Sequence, residues 1–191
     1  EYSQYTLPLR WGLVTYKDGW TKTVTLRPTD STLPSVIKFI FGSVSPSGES
    51  NAADGLKRSK WVLGADKTGG PRYMVLASTS TPNKAWGCKD NTACCINRAL
   101  TEADGLRKSY KADLFTVELR SKYEPALNTF LKQAAGKAGT NGGNMTMHHV
   151  VQSTLGIESF LNHLTRSTCA FGPLPVAGVP PKKVTVHLQY K

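Results

Sequence analysis

The sequence predicts an α+β fold, in which an antiparallel β-sheet begins with an N-terminal hairpin and two C-terminal helices follow. Three observations support this. Strand-like runs occupy residues 11–119, helical spacing begins at Pro125, and a short alternating run lies near the C-terminus. At 191 residues we expect one domain, with a sheet part at 1–121, helices at 122–166 and an extension at 167–191.

The first element is a β-hairpin. Trp11–Tyr16 (WGLVTY) and Trp20–Leu26 (WTKTVTL) are strand-like runs joined by Lys17, Asp18 and Gly19. Asp-Gly at such a junction is a strong hairpin signal, because the turn needs residues that tolerate positive φ.

Further strands are predicted up to residue 119. Ser35–Val44 is a third strand candidate, and Arg58–Ala65 with Arg72–Thr79 reads as a second hairpin. Pro82–Gly105 is predicted to be a long loop, and a loop of that length inside a compact domain is usually functional. Lys108–Leu119 (KSYKADLFTVEL) is predicted to be the last central strand.

The period of the apolar residues changes after residue 124. Pro125 fits the first turn of a helix, and apolar residues then recur at i, i+3, i+4 and i+7: Leu127, Phe130, Leu131 and Ala134. A second helix is predicted over Met145–Arg166. Lys182–Tyr190 alternates apolar and polar residues, which predicts an extra C-terminal strand.

The charge is strongly basic. Lys and Arg number 24 against 13 Asp and Glu, giving +11. Such an excess favours a polyanionic partner through phosphate contacts and counterion release, although a basic soluble protein without such a partner is the alternative. No apolar run approaches the roughly 20 residues that cross a bilayer, so no membrane partner is predicted.

No catalytic motif is present. The sequence lacks GxSxG, HExxH, GxxxxGK[ST] and GxGxxG, and His148 and His149 are adjacent and therefore cannot share one metal without distortion. We expect no enzymatic activity, no cofactor and no metal site. Four tryptophans fit either carbohydrate stacking or, for the three in strand candidates, core packing: Trp11, Trp20, Trp61 and Trp86. Asn144–Thr146 matches the glycosylation sequon, which matters only in a secreted protein.

Two segments of the chain have nearly the same sequence and form a short internal echo. Ala53–Ser59 and Ala103–Ser109 both read ADGL, two basic residues and Ser. The echo places a group of basic residues at the predicted entrances of two neighbouring strands: Arg58, Lys60, Arg107 and Lys108. The cysteines are Cys88, Cys94, Cys95 and Cys169, for which intermolecular disulfides and buried free thiols are both open.

This order of elements resembles the coat proteins of single-stranded RNA bacteriophages (the levivirus type). Four features carry the resemblance: the hairpin with TVTLRP (Thr23–Pro28), the paired strands over Lys60–Thr79, the long cysteine loop, and KSYKADLFTVEL passing into a helix at Pro125. The resemblance implies an interlocked homodimer that assembles into an icosahedral shell around single-stranded RNA. It implies a virion location and self-assembly as the function.

The resemblance also implies functional residues. Tyr110 matches a tyrosine that stacks on a base, and Lys60, Arg72 and Lys108 match residues that contact phosphate, with Arg58 at the same strand entrance. It places the long loop at the shell's symmetry axes, where Cys88, Cys94 and Cys95 are candidates for disulfides between subunits. Val62, Met74 and Leu76 stand where the family often has polar residues. Either the register is shifted by one, or the RNA is bound with little sequence preference.

Two other functions remain open. One is a basic single-stranded nucleic-acid-binding domain that works as a monomer and forms no shell. The other is a secreted β-rich lectin or toxin, which would have intramolecular disulfides and bind glycans through its tryptophans.

Overall fold

The computed structural model describes residues 10–18, 20–28, 49–65, 70–119, 123–152, 156, 159–160 and 163. The predicted strands Ser35–Val44 and Lys182–Tyr190 lie outside these residues, as does the extension at 167–191.

Strands and helices alternate along most of the described chain. The elements are β1 Arg10–Tyr16, β2 Trp20–Pro28, α1 Ala52–Gly64, β3 Arg72–Ser78, α2 Thr92–Ser109, β4 Ala112–Leu119, α3 Pro125–Ala134, a 3₁₀ turn Met145–Met147 and β5 His148–Val151. The fold class is therefore α/β, and the prediction of an α+β fold built on an antiparallel sheet is wrong.

The central sheet is parallel. Its strand order is β3-β4-β5, with Arg72 opposite Ala112 and Ser78 opposite Glu118 in the first pair, and Thr116 opposite His148 in the second. Parallel neighbours need a crossover connection, which α2 supplies between β3 and β4 and α3 between β4 and β5. Among the described residues, antiparallel strand pairing is confined to the two-stranded N-terminal sheet, so the continuous antiparallel sheet through which an interlocked dimer was expected is not found there.

The N-terminal hairpin is confirmed. β1 and β2 pair antiparallel, with Leu13 opposite Val24 and Tyr16 opposite Trp20, in a sheet separate from the parallel one. The hairpin packs on α1, where Gly55 faces the Tyr16 ring so closely that a Cβ would lie 2.8 Å from the ring carbons.

The core lies on both faces of the parallel sheet. The side chains that pack beneath all three helices include Leu56, Leu76, Leu106, Leu114 and Leu131. The opposite face carries a second cluster: Phe115, Val117, Ala135, Met147, Val151 and Phe160. No helix in the described part of the chain is long and apolar enough to cross a membrane.

Several predicted elements need correction. Arg58–Ala65 is the second half of α1 and its C-cap instead of a strand, and β3 (the predicted Arg72–Thr79 strand) pairs with β4 instead of with that segment. The predicted loop Pro82–Gly105 contains most of α2. The predicted helix Met145–Arg166 starts as a 3₁₀ turn and β5, although residues 156, 159–160 and 163 are helical. The helix from Pro125 is confirmed.

Candidate functional site

The carboxyl edge of the parallel sheet gathers the starts of all three described helices. α2 begins on the loop that follows β3, and Ser50, just before α1, bonds to that same loop. α3 begins after Glu124, which accepts a hydrogen bond from Thr81 of the loop. In open α/β sheets, ligands bind in the crevice outside the carboxyl ends of the strands. This edge is therefore the candidate functional site.

Backbone and amide hydrogen bonds lock the loops at this edge together. The Ser50 N–H donates to Asn83 Oδ1 at 2.7 Å, and the Asn83 N–H donates to the Ser50 carbonyl at 3.1 Å. Asn51 is buried, donates its amide to the Asp18 carbonyl at 2.9 Å, and caps α1 by accepting from the Asp54 N–H at 3.1 Å. The hairpin turn, the start of α1 and the loop after β3 thus form one rigid unit.

The polar groups at the end of β3 are engaged inside the protein. The Thr81 N–H donates to Glu124 Oε1 at 3.1 Å, and the Thr81 hydroxyl contacts the same oxygen. The Tyr16 hydroxyl donates to the Ala77 carbonyl at 3.2 Å. Desolvation raises the pKa of Tyr16, and a hydrogen bond with Ser78 partly opposes this. Because these groups satisfy one another, contacts to a ligand must come from side chains on the outer surface of the edge.

Trp86 is the most prominent of those outer side chains. It is 84% exposed, whereas Ala85 and Cys88 on either side of it are buried. A disulfide between Cys88 and Cys94 joins the loop to the first turn of α2. Asn91 caps that turn by accepting from the Cys94 N–H at 2.9 Å. The backbone is therefore held on both sides of Trp86, by the Asn83–Ser50 hydrogen bonds before it and by the disulfide after it, while its indole ring faces solvent.

The cysteines differ from their predicted role. The resemblance made Cys88, Cys94 and Cys95 candidates for disulfides between subunits, but Cys88 and Cys94 pair with each other within one chain, with Cα atoms 5.5 Å apart. The start of α2 causes this, because the tight turn before it brings residue 94 back against residue 88. Cys95 is a buried free thiol in the core, and burial raises its pKa. The adjacent residues Cys94 and Cys95 therefore differ, since the first is oxidised and the second is a free thiol.

An ion pair joins two loops at the carboxyl edge. Glu49 forms an ion pair with Lys84, which raises the pKa of the lysine, and the Glu49 N–H donates to Asp18 Oδ1 at 3.0 Å.

Within the described ranges no three His, Cys, Asp or Glu side chains are grouped so that they could hold a metal ion.

Three polar side chains of β4 and β5 form a row: the hydroxyl of Thr116, the imidazole of His148 and the carboxylate of Glu118. Thr116 Oγ1 is 2.9 Å from His148 Nδ1, and His148 Nε2 is 3.6 Å from Glu118 Oε2. The order of groups resembles a catalytic triad, but Thr116 and Glu118 are fully buried, so a substrate cannot reach them. The arrangement joins β4 to β5. Sequence reasoning missed this arrangement because no local motif links Thr116 to His148. Only the register of β4 and β5 brings the two residues together.

Two of the predicted RNA-binding residues lie on α1. The Arg58 guanidinium stacks 3.9 Å from the centre of the Trp61 ring, and its Nε donates to Thr23 Oγ1 at 3.1 Å. Lys60 forms an ion pair of 2.5 Å with Glu102 of α2. Both cations therefore hold neighbouring elements together instead of marking the entrance of a strand.

The other three predicted RNA-binding residues meet at the amino edge of the sheet, opposite the candidate site. Arg72 begins β3, and its Nη1 donates to the Tyr110 carbonyl at 2.9 Å, where α2 ends. The Tyr110 ring packs against Gly64 at the end of α1. Lys108, in the last turn of α2, is exposed. The sheet face on which RNA was expected is covered by helices, so any anion contact by these residues occurs at this edge.

Comparison with known proteins identifies only distant structural neighbours. No protein-family model matches the chain, and no curated protein matches it in sequence. The fold is similar to part of the pilus adhesin SpaC from Lactobacillus rhamnosus GG. The crystal structure of its open conformation matches with a TM-score of 0.63 and 13% identity over 83% of this chain and 24% of the adhesin chain. A second crystal form matches with a TM-score of 0.62 and 12% identity over the same shares.

These matches establish the fold and no more. The chain spans about a quarter of the length of the adhesin chains that it matches. Since the neighbours share the α/β architecture, they agree with the correction of the predicted antiparallel sheet. The coat-protein function, the RNA contacts and the virion location stay predictions, and the fold on which that resemblance depended is not the fold of this chain.

Proposed function

We propose that this chain is a non-catalytic adhesion module of a surface or secreted protein, and that it binds glycan-bearing partners through the carboxyl edge of its sheet. The observation that carries the proposal is the 84% exposure of Trp86, two residues before a disulfide that ties its loop to α2. Tryptophan is enriched among the residues that dominate binding energy at interfaces, and its flat indole stacks on sugar rings.

The rigidity of the loop supports this role. Turn hydrogen bonds link Cys88 N–H to the Ala85 carbonyl at 3.1 Å and Asn91 N–H to the Cys88 carbonyl at 3.0 Å. Lys89 and Asp90 have φ of 40° and 60°, a conformation that side-chain-bearing residues rarely adopt. A loop held in this way presents its tryptophan without losing further conformational freedom on binding, which favours affinity.

The disulfide supports an extracytoplasmic location. Disulfides form and persist in oxidising compartments and are rare in the cytosol. The structural neighbours are pilus adhesins, which are surface proteins by name. The intramolecular pairing of Cys88 with Cys94 also fits the secreted lectin alternative better than the stapled shell.

An adhesion assay with two tryptophan variants tests the proposal. Beads coated with the protein are applied to an immobilised glycoprotein, to the same glycoprotein after enzymatic deglycosylation, and to gelatin. Trp86→Ala is expected to reduce retention on the glycoprotein at least about tenfold, since a central aromatic contact contributes 2 kcal/mol or more. Trp61→Ala is the matched control, because Trp61 is 50% exposed but lies on α1 against Arg58.

Three outcomes contradict the proposal. They are equal retention of wild type and Trp86→Ala, retention that does not depend on the glycans, and no retention of wild type on any surface. The same purified protein separates this function from the coat-protein hypothesis by size exclusion, absorbance ratio and negative-stain microscopy. RNA-filled shells would favour the coat protein, whereas a small particle free of nucleic acid would exclude it.

A further inference from the structure

A concave feature lies at the amino edge of the sheet, at the end opposite Trp86. It is a pocket of about 210 Å³ lined by Pro71, Arg72, Tyr73, Lys111, Asp113 and Ala138. Pockets for drug-sized ligands usually exceed about 300 Å³, so this one suits a small group. It is built where β3 and β4 begin and where the segment after α3 crosses them.

The polar groups of the pocket favour an anion. Two cations, Arg72 and Lys111, line it against one carboxylate, Asp113. That carboxylate is engaged, since Asp113 Oδ1 accepts from the Ala138 N–H at 2.7 Å. Arg72 is held in place because its Nη1 donates to the Tyr110 carbonyl at 2.9 Å. Guanidinium and ammonium groups are the usual protein partners of phosphate and sulfate.

The backbone at Lys111 is the second, independent observation. Lys111 follows the C-cap of α2 with φ of 54°, in the left-handed region where helices usually place glycine. A lysine in this conformation is strained, and strained residues cluster at binding sites because their side chains are needed there. The left-handed backbone conformation of Lys111 therefore lowers the stability of the protein locally while it keeps a lysine at the pocket.

We propose that the amino-edge pocket binds a single phosphate or sulfate group, through Arg72 and Lys111. The Pro71 and Tyr73 walls suit the ring of a sugar that carries such a group. This site is separate from the proposed adhesive surface, so either can fail without the other.

Titration of the intact chain with defined anions tests the site. Inorganic phosphate, inorganic sulfate and glucose 6-phosphate are added at constant ionic strength, and binding is followed by calorimetry and by the shifts of the Lys111 and Ala138 amide resonances. Wild type is expected to bind with millimolar affinity. Tighter binding of glucose 6-phosphate than of phosphate would identify a sugar ester as the ligand, and equal binding would identify the free ion.

Two lysine-to-glycine variants provide the matched comparison. Lys111→Gly is expected to weaken phosphate binding at least about fivefold while it raises the thermal midpoint, because it removes both the cation and the strain. Lys89→Gly also replaces an exposed lysine of positive φ, but at the other edge of the sheet, so it should leave phosphate binding unchanged. The proposal is overturned if wild type shows no binding up to about 50 mM phosphate, if Lys111→Gly binds as wild type does, or if both variants weaken binding equally.

Discussion

The side-chain amide of Asn128 donates a hydrogen bond of 2.6 Å to Oε2 of Glu118, and both residues are buried between α3 and β4. The same amide nitrogen lies 3.2 Å from His148 Nε2 on β5. A buried carboxylate is costly unless hydrogen bonds compensate its desolvation. The hydrogen bond from Asn128 therefore helps to compensate the desolvation of the Glu118 carboxylate, which is buried on the central strand of the sheet.

Replacing Asn128 with leucine should therefore destabilise the protein strongly. Asn128→Leu keeps the volume but removes the amide beside a buried carboxylate, and we expect a loss of about 3 kcal/mol in the free energy of unfolding. Urea unfolding followed by circular dichroism measures it. Gln133→Ala, on the exposed face of α3, is the control and should change stability by less than about 0.5 kcal/mol.

A double variant separates the hydrogen bond from simple packing. Glu118→Leu combined with Asn128→Leu removes both polar partners, so it should be more stable than Asn128→Leu alone. If the double variant loses more than the single one, the amide does not compensate the carboxylate.

The disulfide should contribute measurable stability. Replacing Cys88 and Cys94 with alanine opens a loop with a sequence separation of 6 residues, and the loop-entropy relation gives a loss of about 2 kcal/mol. Thermal unfolding of the variant and of wild type with and without reductant provides the measurement. Cys95→Ala, which removes the adjacent buried thiol, must leave the effect of reductant intact. On a non-reducing gel the wild type should run as a single chain, and a ladder of linked chains would contradict the intramolecular pairing.

The elements with strong local signals could be predicted from the sequence. The hairpin depends on Asp18 and Gly19, and α3 on Pro125 and the apolar spacing after it. β4 was found because five of its eight residues are apolar, and they occur on both of its alternating faces, as Leu114 and Phe115 do. The same feature should have indicated a strand buried on both faces, which is typical of parallel sheets.

α1 and α2 were missed because their buried faces consist largely of small residues. α2 buries Cys95, Ala99, Ala103 and Leu106 at helical spacing, but alanine adds little to an apolar pattern. The available signals were Asn51 and Asn91, each an N-cap just before a helix.

The ADGL echo acquires a physical meaning once both copies are helical. Gly55 gives room to the Tyr16 ring, and a Cβ at Gly105 would lie 2.7 Å from Cε of Lys60. Each copy therefore lets a neighbouring element approach its helix closely. The exposure of Trp86 could not be predicted, because it depends on how the loop after β3 packs, which no local motif indicates.

The loop after α3 should be sensitive to substitution at Gly142 in particular. The buried Arg107 donates to the Ala134 carbonyl and pairs with Asp104, while burial lowers its pKa. Gly142 has φ of 88°, and a Cβ there would lie 2.7 Å from Arg107 Nη2 and would also clash with the Gln133 carbonyl.

Gly142→Ala is accordingly expected to cost about 3 kcal/mol, through strain plus displacement of the arginine. Gly139→Ala is the matched control, since Gly139 has φ of 81° but nothing lies within 4 Å of its Cβ position, and it should cost only about 1 kcal/mol. Urea midpoints of the two variants distinguish them. Equal losses would show that backbone strain alone governs the loop and that the contact with Arg107 contributes nothing.

His149 should make stability depend on pH. Its ring lies 5.1 Å from that of Phe160 and 4.5 Å from that of His163. Burial lowers its pKa below the ordinary 6.5, with further lowering from His163 and His148. The unfolded chain therefore takes up the proton more readily than the folded one. The resulting stability is fully present above about pH 6.5 and is lost as pH falls through the lowered pKa of the folded state.

His149→Phe should remove this loss, because phenylalanine does not titrate and fills a similar space against Phe160. Urea unfolding at about pH 7.5 and about pH 5 gives the measurement. All other titratable groups are common to both proteins, so the difference between them reports His149 together with its coupling to His148 and His163. Since the ring is partly exposed, solvent screening keeps the expected difference below about 1 kcal/mol. A variant that loses as much stability as wild type between the two pH values would show that His149 does not govern the acid sensitivity.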